Sequence, residues 1–236
     1  MPPPGYVPYG PGGQRGFEPI RSVSKWLVIL LAVGAGAQVL TVLAQAGLRG
    51  DTDRLVNGLD GLDAGFGLYL LVSLAAAAVS IASLVLQVVF AFRIAKNLQL
   101  LGRTPASFSP GATIATVILG GCTLGILPYF MWRELWAGSE PGLPAHTPDW
   151  KRRPTPQIIT IQLVLTLLST VFGLGVGAAS AVLRIGSTSS SDLGKSLDNS
   201  FGWLLLSGLL SAAATVALML LVRQLAERHM QATREA

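Results

Sequence analysis

Residues 112–132 read ATIATVILGGCTLGILPYFMW, a run without Asp, Glu, Lys, Arg or His. At about 1.5 Å of rise per residue, a single helix of this length reaches across a hydrocarbon core of roughly 30 Å. Gly120, Gly121, Gly125 and Pro128 interrupt it. Each glycine costs a soluble helix around 1 kcal/mol relative to alanine; membrane helices tolerate glycine better, yet this density predicts a broken segment. Four more charge-free windows flank the run, at 26–48, 67–92, 157–183 and 201–222, and the five make up about half of the 236 residues. Only 12% of the chain is charged and 51% is apolar, against roughly 25% charged in soluble proteins. A soluble domain is excluded. The windows predict an all-α, polytopic transmembrane helical bundle.

Whether 112–132 crosses or turns back fixes the topology, and charge counting separates the two. Lys and Arg near span ends collect on the inner side of a membrane. Five crossings with the N-terminus inside leave eight Lys and Arg inside and nine outside. If 112–132 leaves on the side it enters, the split becomes thirteen against four. The expectation is therefore four spans plus a re-entrant or interfacial segment, with both termini cytoplasmic at the cell membrane. Five spans is the alternative.

Composition divides the chain into a disordered Pro/Gly-rich tail at 1–24, a transmembrane helical domain at 25–229 and a short polar tail at 230–236. MPPPGYVPYGPGG has no apolar period, so deleting residues 2–20 is expected to leave the bundle unchanged. Ala44-Gln45-Ala46 mimics a signal-peptide cleavage site, but the apolar run before it is too long for one, so the first span is expected to be retained. Gln38, Thr41 and Gln45 share one face of that span and are expected to look into the bundle. In the second window Ser73, Ser80, Ser83 and Ala75–Ala78 predict the most tightly packed span. Its helix is expected to continue past Arg93 and Lys96, which snorkel to the interface, and to stop at Gly102. Lys151-Arg152-Arg153 and two prolines precede the fourth span, where Gly173 and Gly177 form a GxxxG face. Residues 184–200 read as a polar loop.

Most chemistry has no anchor here. The single cysteine, Cys122, lies inside an apolar window, and the two histidines, His146 in a loop and His229 in the tail, lack metal-ligand spacing. No phosphate-loop, serine-hydrolase or zinc-protease motif occurs. The net charge of +5 is spread over segment ends, which suits membrane orientation and not nucleic acid. No catalytic, cofactor-binding or metal-binding residue is expected, and the chain reads as a non-enzyme.

Arg93, Asn97-Leu98, Leu101-Gly102 and Phe108-Ser109-Pro110-Gly111 are followed by Pro128-Tyr129, Glu134-Leu135-Trp136 and Ser139-Glu140-Pro141. In order and spacing this series resembles a bacterial multi-pass membrane family catalogued as domain of unknown function 4328. About seventy residues carry the likeness, with compatible spans on either side. The resemblance implies a polytopic helical fold and no particular activity. Gly120-Gly121-Cys122 stands where that family usually has an internal Pro and Asn, and Thr160 and Gln162 stand where it often has tryptophans.

The family-like residues cluster at two segment ends: Arg93, Lys96 and Asn97 after the second window, and Pro128, Tyr129, Glu134 and Trp136 at the exit of the third. On a re-entrant topology both sets share the inner boundary. A carboxylate there seeks a cation, so Glu134 either pairs with Arg93 or Lys96 or stands exposed and solvated, since surface pairs are worth only about 0–1 kcal/mol, while Trp136 and Tyr129 suit the headgroup layer. The expected role is a structural or interaction protein, with membrane lipid, other membrane proteins or a second copy as partners. The alternative is a small channel or transporter without ion coupling, since the charge-free windows hold no ionisable pathway residue.

Overall fold

The computed structural model describes residues 16–47, 64–186 and 190–235. The tail's Tyr6 and Tyr9, candidates for a Pro-reading partner, and Asp53 and Ser189, expected on the outer side, lie outside the described residues. The elements are α1 (Arg21–Gly47), α2 (Ala64–Leu100), α3 (Pro110–Ile118), α4 (Ile126–Gly138), a 3-10 turn at Trp150–Arg152, α5 (Gln157–Gly186) and α6 (Ser190–Thr233). Four helices carry stretches long and apolar enough to cross a membrane: Arg21–Ala46, Gly67–Leu100, Gln157–Leu174 and Phe201–Thr233. With nine and thirteen residues, α3 and α4 rise only about 14 and 20 Å, too little for either to cross.

These two short helices form a hairpin. Ser109 is extended and its Oγ accepts the Ala112 N–H at 3.2 Å, while Pro110 fills the first turn, where a backbone N–H would lack a partner. After Gly120-Gly121 the chain reverses at Gly125, which sits at φ +79° with Thr166 Cγ2 of α5 only 3.2 Å from where a Cβ would stand. Glycine is required there on both counts. The returning helix brings Glu134 back to the hairpin's start, where its Oε1 accepts the Ser107 and Phe108 N–H groups at 2.6 and 3.1 Å. Residues 112–132 thus end where they began, and the five-span alternative fails. Labelling single cysteines placed at Thr104 and Gly142 in a Cys122→Ser background should report one side of the membrane. Opposite sides would overturn the hairpin.

The long helices stand in a row. α5 packs on α6, α6 on α1 and α1 on α2, while the hairpin fits between α2 and α5 at one end. That end, the head, holds the apolar core: Ile20 and Leu27, Phe90 and Ile94 of α2, Met131 and Leu135 of α4, Ile159 of α5, and Leu221 and Leu225 of α6 are buried together. Along the row the contacts are polar as well. Gln38 Oε1 accepts from Thr215 Oγ1 of α6 at 3.3 Å, and Gln45 Nε2 donates to Tyr69 of α2 at 3.3 Å, so both glutamines face the bundle as expected. Thr41 turns to its own backbone, at Ala37 O. Gly173 meets Ser207 of α6, so that half of the GxxxG face is used within the chain.

Four expectations change. Only 6% of the α2 crossing window is buried, against 28% for α1, so α2 is the least packed span. Its small residues allow close approach, but at the end of the row only α1 approaches along its length. The polar stretch at 184–200 is helical over 184–186 and 190–200. The N-terminal boundary at 24 is too late, because α1 starts at Arg21 and Ile20 is fully buried. The segment 230–236 is likewise no free tail: α6 runs to Thr233, itself buried, and the Glu235 carboxylate accepts the Ile20 and Arg21 N–H groups at 3.0–3.1 Å. An anion at a helix start satisfies orphan donors and the helix dipole together, which composition does not reveal. Deleting residues 2–20 therefore removes part of the core.

Candidate functional site

The head encloses polar side chains that join segments far apart in sequence. Asn97, near the end of α2, is fully buried. Its Oδ1 accepts the Glu18 N–H at 2.8 Å and its Nδ2 donates to the Glu18 carbonyl at 2.9 Å, as a neighbouring strand would. The second Nδ2 proton faces His229 Nε2 at 3.1 Å, and His229 Nδ1 lies 2.8 Å from Ser139 Oγ at the C-cap of α4. His229 and Ser139 are both fully buried.

Serine, histidine and asparagine in a row resemble a nucleophilic triad, but the proton order differs. Catalysis needs a histidine that accepts from serine while its other nitrogen donates to an acceptor. Here the Glu18 backbone fixes the Asn97 amide, and that amide presents a donor to Nε2. The neutral ring then carries its proton on Nδ1 and donates to Ser139. The serine receives a hydrogen bond and is not activated. The chain of contacts fastens α2, α4, α6 and the segment before α1.

Arg103 does similar work directly after the Gly102 cap, where φ is +70°. It is 1% exposed and donates to three carbonyls: Nε to Gly138 at 3.2 Å, Nη2 to Leu143 at 2.9 Å, and Nη1 to Pro144. Burial draws its guanidinium below the ordinary value, and the charge of Glu140 opposes this. Glu140 also meets Arg153 Nε at 3.4 Å and Arg228 Nη2 at 3.7 Å. Arg228 in turn lies 4.8 Å from the centre of the half-buried Trp136 ring and donates to the Trp136 carbonyl.

The boundary cluster expected from sequence is only partly brought together. Glu134 is buried, but it does not pair with Arg93 or Lys96; beyond its two backbone donors it faces Lys151 Nζ at 3.6 Å. Lys151 also donates to Ser107 Oγ at 2.7 Å. Arg93 and Lys96 turn the other way, Arg93 to the Pro19 carbonyl and Lys96 to Glu18 at 2.8 Å. That lysine's hydrogen bond and charge hold the Glu18 carboxyl below its ordinary value. Pro128 packs at the hairpin tip near Gly120, and Tyr129 packs partly against the core. Among the described residues no group of three or more His, Cys, Asp or Glu is placed to hold a metal ion.

Glu134→Gln is expected to cost about 1–2 kcal/mol of stability in detergent, because the amide oxygen still accepts from the Ser107 and Phe108 N–H groups but no longer as a charged acceptor, and the attraction to Lys151 is lost. Arg93→Gln should leave the Glu134 interaction unaltered. A double-mutant cycle that couples Glu134 to Arg93 instead of Lys151 would contradict this pairing.

Sequence reasoning passed over His229, Arg103 and Ser139 as site residues. Ser139 stood in the family-like series, and Arg103 directly follows the expected cap, but neither position announces burial.

A row of four apolar helices with a broken hairpin at one end defines an integral, multi-pass membrane protein. The sequence profile of the family described as Domain of unknown function (DUF4328) matches residues 59–227, and the chain belongs to that family. No curated protein and no solved structure matches it.

Proposed function

We propose that this chain is a structural or interaction protein of the cell membrane, a helical platform that organises other membrane components. The observation that carries this reading is how the buried polar groups of the head are used. Asn97, Arg103, Glu134 and the half-buried Glu235 all bond backbone atoms of distant segments, and the His229 ring is engaged on both nitrogens, by Asn97 and by Ser139. Side chains so engaged rigidify a fold and are not free to bind or turn over a substrate. The platform reading also assigns the cation-rich head, and both chain ends, to the cytoplasmic side.

Purification from native membrane after mild cross-linking tests it. A stoichiometric partner, including a second copy of the chain, is the expected result. Stabilisation by a small solute, with no partner recovered, would replace the platform with the channel or transporter reading.

A further inference from the structure

The outer face of α4 carries a column of residues that serves neither the core nor the polar network. Leu127 and Phe130 are 42% and 47% exposed, and Arg133 continues the same face one turn later, also exposed. Spacings of three residues place all three on one side of the helix. Ile161 and Val164 of the adjoining α5, each 47% exposed, extend the apolar surface. Arg133 immediately follows the charge-free window 112–132, so it stands at the depth where hydrocarbon gives way to headgroups. Among the described residues it has no hydrogen bond or ion pair, whereas its neighbour Glu134 is fully engaged.

The surroundings offer it no counter-charge. The described residues of the head hold twelve Lys and Arg against six Asp and Glu. Glu134, Glu140 and Asp149, the carboxylates nearest in sequence, pair with Lys151, with Arg153 and Arg228, and with Arg152. Arg152, 83% exposed in the 3-10 turn packed on α4 and held only by the exposed Asp149 at 3.5 Å, adds a second, weakly compensated cation. A planar guanidinium fits the two oxygens of a phosphate diester, and exposed apolar side chains below it fit acyl chains.

We propose that the α4 column with Arg133 is a binding site for one anionic phospholipid of the inner leaflet, its phosphate held by Arg133 and flanked by Arg152. The site differs from a diffuse cationic surface because its cation is uncompensated and sits directly above an apolar strip.

The test is native mass spectrometry of the whole chain from vesicles of phosphatidylcholine with a minor share of phosphatidylglycerol. One phosphatidylglycerol should be retained by the wild type. Arg133→Gln should lower its occupancy about fivefold, the equivalent of ~1 kcal/mol for one interfacial cation. Arg152→Gln should lower it less, and it remains a readout should the first variant fold poorly. Arg223→Gln is the control, because that cation also ends a span but is paired with Glu227 at 3.1 Å. Equal losses from Arg133→Gln and Arg223→Gln would overturn the site in favour of general surface charge. No loss from either Arg133→Gln or Arg152→Gln would overturn it outright.

Discussion

Replacing Arg103 with methionine is expected to lower the unfolding free energy in detergent by about 2–3 kcal/mol, chiefly because the buried Gly138 carbonyl loses its donor and the half-buried Leu143 carbonyl loses another. The aliphatic stem is conserved by the substitution, so the loss isolates the guanidinium. It donates to three carbonyls, one at the end of α4 and two in the loop that follows, of which Pro144 also accepts from Thr147 Oγ1. Arg103→Lys should recover only a small part, because a point-like ammonium cannot address three carbonyls arranged for a planar fork. Denaturant titration in a single detergent provides the numbers. Full rescue by lysine would mean that charge near Glu140, and not the fork, is what matters there.

Asn97→Leu should have an effect of similar size. It leaves the Glu18 backbone pair and His229 Nε2 without partners, each at roughly 1–3 kcal/mol where burial is complete. Asn97→Asp should be milder. Its carboxylate still accepts the Glu18 N–H, and a His229 ring carrying its proton on Nε2 would donate to it. Nitrogen-15 spectra of labelled histidine check the premise: the wild type should show the Nδ1–H form. An Nε2–H form would invalidate the proton order given for Ser139, and with it the main support for a fastening role.

The helices were legible in the sequence for a simple reason. A charge-free run is a one-dimensional property, and lipid enforces it residue by residue. The hairpin was legible through two independent signals, its helix breakers and the one-sided excess of Lys and Arg that a turn-back produces. Neighbour choice was not. Glu134 had Arg93, Lys96 and Lys151 within reach of plausible topologies, and only the packing of the 3-10 turn against α4 selects Lys151. The small residues of α2 announced that it can pack closely, but how many helices approach it depends on its position in the row. His229 shows the same limit: a histidine among charges near a C-terminus reads as solvated, and it is buried because Asn97 and Ser139 are there to meet it.

The way the two ends of the chain interlock bears on the order in which the protein is made. Asn97 waits for a partner 132 residues later in the sequence, and the start of α1 waits for Glu235, 215 residues after Ile20. At roughly 5–20 residues synthesised per second, the first two helices are exposed to the insertion machinery for on the order of ten seconds before the last helix arrives. During that interval the second Nδ2 proton of Asn97 and the first N–H groups of α1 lack their native partners. A ribosome product that stops short of His229 carries every apolar window yet cannot close its head. Pulse-chase labelling should find that chains ending at Arg228 insert normally and are then degraded faster than the full chain. Equal lifetimes would mean that the head matures without its final turn. On the expected result, the residues from His229 to Glu235 separate chains that are merely inserted from chains whose head has closed.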